Sequence, residues 1–206
     1  MQSAGRSWVI SELLLLSGGV DSVALAAWRR PALCLTIDYG QRAAPAEIQS
    51  SAQVCKSLGL RHDVLRAPVP SLGSGQMAGE SSSPHSAHSE FWPFRNQYLI
   101  TLASMVAIQQ RCTAILIGTV VTDNRHHDGS QTFLNAMRET ILQQEGSIEL
   151  LAPAASLTSE QLVHASGIDH ATLGWAHSCH TGTLACGACP GCFKHSQVMS
   201  ALGWSR

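Results

Sequence analysis

At 206 residues, with 45% hydrophobic and only 13% charged positions, the chain carries enough apolar material for one folded domain spanning 1–206. Its formal net charge of −1 argues against an electrostatically driven nucleic-acid binder. No run approaches eighteen apolar residues, and no basic stretch leads into an apolar one at the start. A soluble cytoplasmic protein without membrane contact is therefore expected.

The first predicted strand covers 9–16 and stops abruptly in Ser17-Gly18-Gly19-Val20-Asp21-Ser22. Helical spacing resumes with Val23, Leu25, Ala26 and Ala27, over about 21–30. Glycines let backbone N–H groups approach an anion closely, and a helix start adds partial positive charge. No lysine is present, so this is not the Gly-Lys-Ser/Thr phosphate loop. Taken alone, the turn reads equally as an anion site or as an ordinary glycine turn after a core strand.

A second buried strand, 33–37, is halted by Asp38-Tyr39-Gly40-Gln41. A helix over 45–58 comes next, with Pro45 suited to a first turn and Gly59 to a C-terminal cap. Residues 62–65 make a third strand. Strands alternating with helices of this length predict an α/β fold with a parallel sheet, whose carboxyl edge would carry the first loop. Residues 67–93, rich in Ser, Gly, Pro and His, break the rhythm as a lid or a disordered insert, the lid favoured because the next segment looks functional. A strong helix is predicted over 95–111 and a strand over 113–118. A polar loop, 119–130, then carries Asp123, Asn124, Arg125, His126, His127 and Asp128. A helix at 131–144, a strand at 148–151 and a helix starting at Thr158-Ser159-Glu160 complete the alternation.

Cys34, Cys55 and Cys112 sit singly in apolar surroundings and read as core thiols. The other four form Cys179-x6-Cys186-x2-Cys189-x2-Cys192, with Gly182, Gly187 and Gly191 supplying tight turns. Four thiolates in a closed tetrahedron suit a structural Zn²⁺, with an iron–sulfur cluster or a redox pair as rivals. His177 and His180 flank the cluster, and four cysteines make them unnecessary as ligands.

Ser17-Gly18-Gly19-Val20-Asp21-Ser22 resembles the pyrophosphate loop of ATP pyrophosphatases, which cleave ATP between the α and β phosphates. Joined to a four-cysteine knuckle near the end, it resembles the QueC family, the 7-cyano-7-deazaguanine synthases. Tyr39-Gly40-Gln41-Arg42 is similar to that family's Tyr-x-Gln-Arg, and Pro93-Phe94-Arg95-Asn96 to its Pro-x-Arg-Asn. Thr122-Asp123, Asp128 and Phe133 fall where the family has a Thr-Asp or Glu-Asp pair and a Tyr-Pro-Asp-Cys segment followed by Phe.

The resemblance implies a Rossmann-like core of the adenine nucleotide alpha hydrolase type with a C-terminal zinc knuckle and terminal helix at 177–206. It implies ATP, Mg²⁺ and Zn²⁺ as cofactors, a deazaguanine substrate with ammonia, and a homodimer. The activity implied is adenylation of 7-carboxy-7-deazaguanine, then amide and nitrile formation. Ser17, Gly18, Gly19, Val20, Asp21, Ser22 and Gly118 would hold the nucleotide. Asp21, Ser22, Arg42 and Arg95 are the catalytic candidates, the arginines reading otherwise as surface salt-bridge partners. Tyr39, Gln41, Arg95, Asn96, Asp123 and Asp128 would bind substrate, though a loop carboxylate also serves as a cap or a solvated group. Cys179, Cys186, Cys189 and Cys192 would bind zinc.

Three departures stand out. His126-His127-Asp128-Gly129 replaces Tyr-Pro-Asp-Cys, with both histidines expected at the surface; Thr158-Ser159-Glu160 replaces Lys-Ala-Glu; and Phe193-Lys194-His195 stands where a family arginine often follows. They raise a first alternative, an enzyme that stops at the adenylate or amide and transfers the base to another amine, such as a protein acceptor, as a defence-associated module might. A non-catalytic, zinc-stabilised nucleotide-binding protein is the second.

Overall fold

A computed structural model of the chain describes residues 11–122 and 125–204. Strands β1 (Glu12–Leu15), β2 (Leu33–Asp38) and β3 (His62–Arg66) alternate with helices α1 (Val20–Arg29) and α2 (Ala44–Leu58). After a short helix α3 (Gly75–Ala78) and a two-residue strand β4 (Glu90–Phe91) come α4 (Arg95–Gln110), β5 (Ala114–Leu116), α5 (Gln131–Leu142) and β6 (Glu149–Leu151). Helices α6 (Ser159–Ser166), α7 (His170–Leu173) and α8 (Pro190–Ala201) close the chain.

The five long-range strands pair in parallel in the order β3-β2-β1-β5-β6. The chain builds outwards from β1 through β2 to β3, then crosses back to lay β5 on the other side of β1. The carboxyl ends of β1 and β5 therefore flank the switch point, where open parallel sheets bind ligands. The apolar run needs no alternation because both faces are covered. Leu14, Leu16 and Leu116 pack with residues of α1, α2, α6 and α8, while Leu13, Ile115 and Leu150 pack with those of α4 and α5. Among the described residues no helix is long and apolar enough to cross a membrane.

Residues 67–93 are ordered rather than featureless. Ser74 and Gly75 bridge antiparallel to Phe91 and Glu90, and Met77 and Trp92 are buried. Trp92 meets Tyr39 edge-on, with ring centroids 4.9 Å apart. The segment is a wall held by a few large side chains, a device without sequence period. Helix α7 was not predicted, since four residues cannot show a period; the Asp169 carboxylate caps it by accepting from the Thr172 amide at 2.8 Å. At α6 the expected start is realised as a capping box between Thr158 and Gln161. The first strand is shorter than predicted, Glu12–Leu15, and positions 9 and 10 lie outside the described residues.

Candidate active site

A cavity of about 780 Å³ opens at the switch point. Its floor is the loop after β1. Gly18 adopts a left-handed backbone at φ 76°, and a Cβ there would lie 2.9 Å from the Glu47 carbonyl oxygen. Its own carbonyl accepts from the Ser50 hydroxyl at 3.1 Å and from the His177 amide at 2.8 Å. Gly19 caps α1 without a side-chain hydrogen bond, and Val20, Asp21 and Ser22 of the first turn line the cavity, so the helix start, with its partial positive charge, lies at the floor. The Ser17 and Ser22 hydroxyls lie 3.1 Å apart beside it. Across the floor, the Gly118 site after β5 comes so close that a Cβ would sit 3.3 Å from the Ser22 Cα. Together these atoms form a concave arrangement of donors that suits a chain of phosphate oxygens.

The opposite wall is carried by α4 and the ordered 67–93 segment. Arg95, at the first turn of α4, reaches the Met77 sulfur at 3.2 Å and lies beside the Tyr39 hydroxyl. Burial drives the Tyr39 hydroxyl's pKa up, opposed by the Arg95 charge. Asn96 is tied to Asp128: its amide N–H donates to the Asp128 carboxylate at 3.0 Å, and its side chain donates to the Asp128 carbonyl at 2.8 Å. Glu90 is buried, yet Arg125 contacts one of its oxygens through Nε at 2.8 Å and Nη2 at 2.7 Å. Burial resists ionisation of Glu90, but these Arg125 contacts help keep its pKa below the ordinary carboxylate value. The His126 Nε2 stands 3.7 Å from the same carboxylate, and its ring packs against His88 and Phe91. Burial, with Arg95 nearby, lowers the pKa of His126 and favours the neutral imidazole.

Glu47 also lines the cavity, where burial lifts its pKa to about 7 against the pull of the Gln41 amide and Arg95. A folded-state pKa above the ordinary 4.5 means that the fold favours the neutral carboxyl. Its contribution to stability is complete below about pH 4.5 and is lost as pH rises through about 7. Glu47→Gln should remove that dependence. In thermal melts, wild type should lose ground to the variant between those two pH values; parallel profiles would discard this assignment.

Near the C-terminus, the four sulfurs of Cys179, Cys186, Cys189 and Cys192 lie within 4.8 Å of one another. The Cys186–Cys192 and Cys179–Cys189 separations are 3.9 and 4.0 Å. Sulfurs at about 2.3 Å from a tetrahedral ion would be about 3.8 Å apart, so the donor set fits Zn²⁺ closely. Amides of His180, Cys189 and Cys192 donate to the sulfurs at 3.3 to 3.4 Å, which suits thiolates. Hydrogen bonds from Thr181 and the Ala188 and Cys189 amides pull the Cys186 thiol down to about 6. With four protein ligands, such a site is structural.

The family model described as "Queuosine biosynthesis protein QueC" matches residues 11–203. The chain belongs to the QueC family. A protein named 7-cyano-7-deazaguanine synthase 1, from Desulfitobacterium hafniense (strain Y51), is 30% identical over 200 residues, covering 91% of this chain and 90% of the relative. The 7-cyano-7-deazaguanine synthase of Desulforudis audaxviator (strain MP104C) is 29% identical over 218 residues, with 94% and 98% covered. That of Methanosarcina barkeri (strain Fusaro / DSM 804) is 27% identical over 217 residues, with 93% and 94% covered.

Against this QueC frame, the cavity brings together Ser17, Gly19, Val20, Asp21, Ser22, Gly118, Tyr39, Arg95, Asn96 and Asp128. Gly18 acts from beneath, through its backbone. Gln41 is a buried pin: it accepts from the Tyr39 amide at 2.9 Å and donates to Glu47 at 2.7 Å. Arg42 does not line the cavity; it is exposed and packs over Gly79. Asp123 lies outside the described residues. His127 is exposed as expected, but His126 is only partly exposed, because contact between the exposed Arg125 and the buried Glu90 holds its loop at the cavity. Sequence reasoning missed Glu47, Glu90 and Lys194 as cavity residues. Glu47 left a signal as an acidic residue in the first turn of a helix behind the Tyr39–Arg42 segment, and Lys194 as part of the Phe193-Lys194-His195 departure; Glu90 left none.

Proposed function

We propose that the chain is an ATP-dependent ligase that adenylates the carboxylate of 7-carboxy-7-deazaguanine, then forms the amide and the nitrile of 7-cyano-7-deazaguanine with ammonia. The observation that carries this reading is one cavity shared by two kinds of chemistry. The α1 amides and the Ser17 and Ser22 hydroxyls lie at one end, and Arg95, Asp128, Glu90 and His126 at the other. A carboxylate is a poor electrophile until one oxygen becomes part of a phosphoester. As its oxygen bonds the α-phosphorus, the bond from that phosphorus to the α,β-bridging oxygen breaks, and pyrophosphate leaves with the electron pair.

The α1 start, with its amides and helix dipole, is suited to stabilise that leaving charge. Asp21, on the first turn of α1, would hold Mg²⁺ on the phosphates, which would neutralise them further. Arg95 would bind the substrate carboxylate, and the Asp128 carboxylate would accept from the N–H edge of the base. Zinc would order the knuckle and take no part in bond making.

Purified protein incubated with ATP, Mg²⁺, 7-carboxy-7-deazaguanine and ammonium should yield AMP and a nitrile by mass spectrometry. An amide, or a mass adduct on protein, would move the reading to an enzyme that stops early or transfers the base. No AMP would overturn both.

A further inference from the structure

The phosphate loop contains an acidic residue and no basic one, yet a cation stands beside it. Lys194, one of only two lysines in the chain, places its Nζ 2.7 Å from Oδ2 of Asp21 on the first turn of α1. It comes from the far end of the sequence. On α8, Pro190, Lys194 and Gln197 recur at helical spacing and line the cavity. That face is held against the loop from several directions. Cys189 caps α8 by accepting from the Cys192 amide, so the four-sulfur cluster fixes the helix start. Gly191 leaves no room for a side chain: a Cβ there would lie 1.8 Å from the Ser178 carbonyl oxygen and 2.7 Å from the His180 ring. One residue before Ser178, the His177 amide donates to the Gly18 carbonyl at 2.8 Å. The knuckle, the 177–180 segment and the phosphate loop thus form one packed unit that presents Lys194 to the cavity.

An uncompensated Asp21 carboxylate at the mouth of an anion site would repel phosphate oxygens. We propose that Lys194 is the phosphate-binding cation of this site, masking Asp21 at rest and contacting the β and γ phosphates when ATP binds. This rests on the reading of the chain as an ATP-cleaving enzyme. The ammonium keeps its protons throughout. It offsets the charge that arrives on pyrophosphate as the bond between the α-phosphorus and the bridging oxygen breaks. It also gives the zinc knuckle a second purpose, because the helix that the cluster caps carries the cation.

The test compares wild type with Lys194→Met and Lys194→Arg, each matched for zinc content, by titration calorimetry with ATP, inorganic pyrophosphate and AMP. Loss of a charged phosphate contact should weaken ATP and pyrophosphate about tenfold or more in Lys194→Met, with AMP changed about twofold or less and Lys194→Arg recovering most of the loss. Equal weakening of AMP and pyrophosphate would overturn the proposal in favour of a structural role. Unchanged ATP and pyrophosphate affinities in Lys194→Met would overturn the assignment of Lys194 alone. Wild type that binds neither ATP nor pyrophosphate would overturn the ATP reading, and this proposal with it.

Discussion

Gly18→Ala is expected to abolish nearly all ATP cleavage while Gly19→Ala leaves the fold intact. The two glycines are neighbours with opposite constraints. Gly18 is in the left-handed region at φ 76°, and an added Cβ would press to 2.9 Å from the Glu47 carbonyl oxygen and 3.0 Å from the Ser50 hydroxyl. Relief would move either the loop or the start of α2, and with it the carbonyl that accepts from both Ser50 and His177. Strain of this kind costs about 1–3 kcal/mol, and a 1 Å displacement of reacting groups can cost about 10²-fold in rate. Gly19 has extended backbone at φ −75°, and its nearest atoms, the Ser17 and Ser178 hydroxyls, would be 3.5 and 3.6 Å away. Its substitution should change stability by less than about 0.5 kcal/mol. Denaturant melts and AMP release on both variants check the contrast; a Gly18→Ala protein of normal activity would show that the loop is not central to catalysis.

Cys189→Ala should have the second large effect, and on a different part of the chain. The Cys189 sulfur accepts from the His180 and Cys192 amides, lies 4.0 Å from the Cys179 sulfur and caps α8. Removing it leaves three ligands and an uncapped helix. Structural zinc binding in small modules is worth about 10–16 kcal/mol, so its loss should unfold the knuckle locally rather than soften it. The parallel sheet packs on α4 and α5 without the knuckle and should survive. The expected result is a protein with little zinc, early proteolysis in the exposed stretch around Leu184, near-native sheet content and at least about tenfold weaker pyrophosphate binding. Full zinc content and unchanged pyrophosphate affinity in Cys189→Ala would contradict this picture.

The sheet and its long helices were legible because burial on both faces imposes long apolar runs, as in Leu13 to Leu16 and Ala114 to Leu116. The loop and knuckle were legible because glycine turns and paired cysteines are local in sequence. What stayed hidden depends on tertiary contact. Trp92 packs on Tyr39 from more than fifty positions away, and that contact orders a segment whose composition alone suggests a lid. Glu90 looks like a solvated charge until Arg125 is seen against it. Lys194 lies in the Phe193-Lys194-His195 segment, where a family arginine often follows, but only the packing of α8 against the loop after β1 reveals its partner Asp21. The reverse holds for Arg42, which the Tyr39–Arg42 segment makes prominent and the fold turns away from the cavity.

Under the proposed function, this cavity should cleave ATP between the α and β phosphates only when a deazaguanine carboxylate is there to receive the nucleotide. Exchange of labelled pyrophosphate into ATP measures that step alone, before any ammonia is consumed. With Mg²⁺ and 7-carboxy-7-deazaguanine present, exchange should be rapid, and it should fall to background when the carboxylate is left out. Formation of ADP and phosphate in place of exchange, or exchange indifferent to the carboxylate, would contradict that claim.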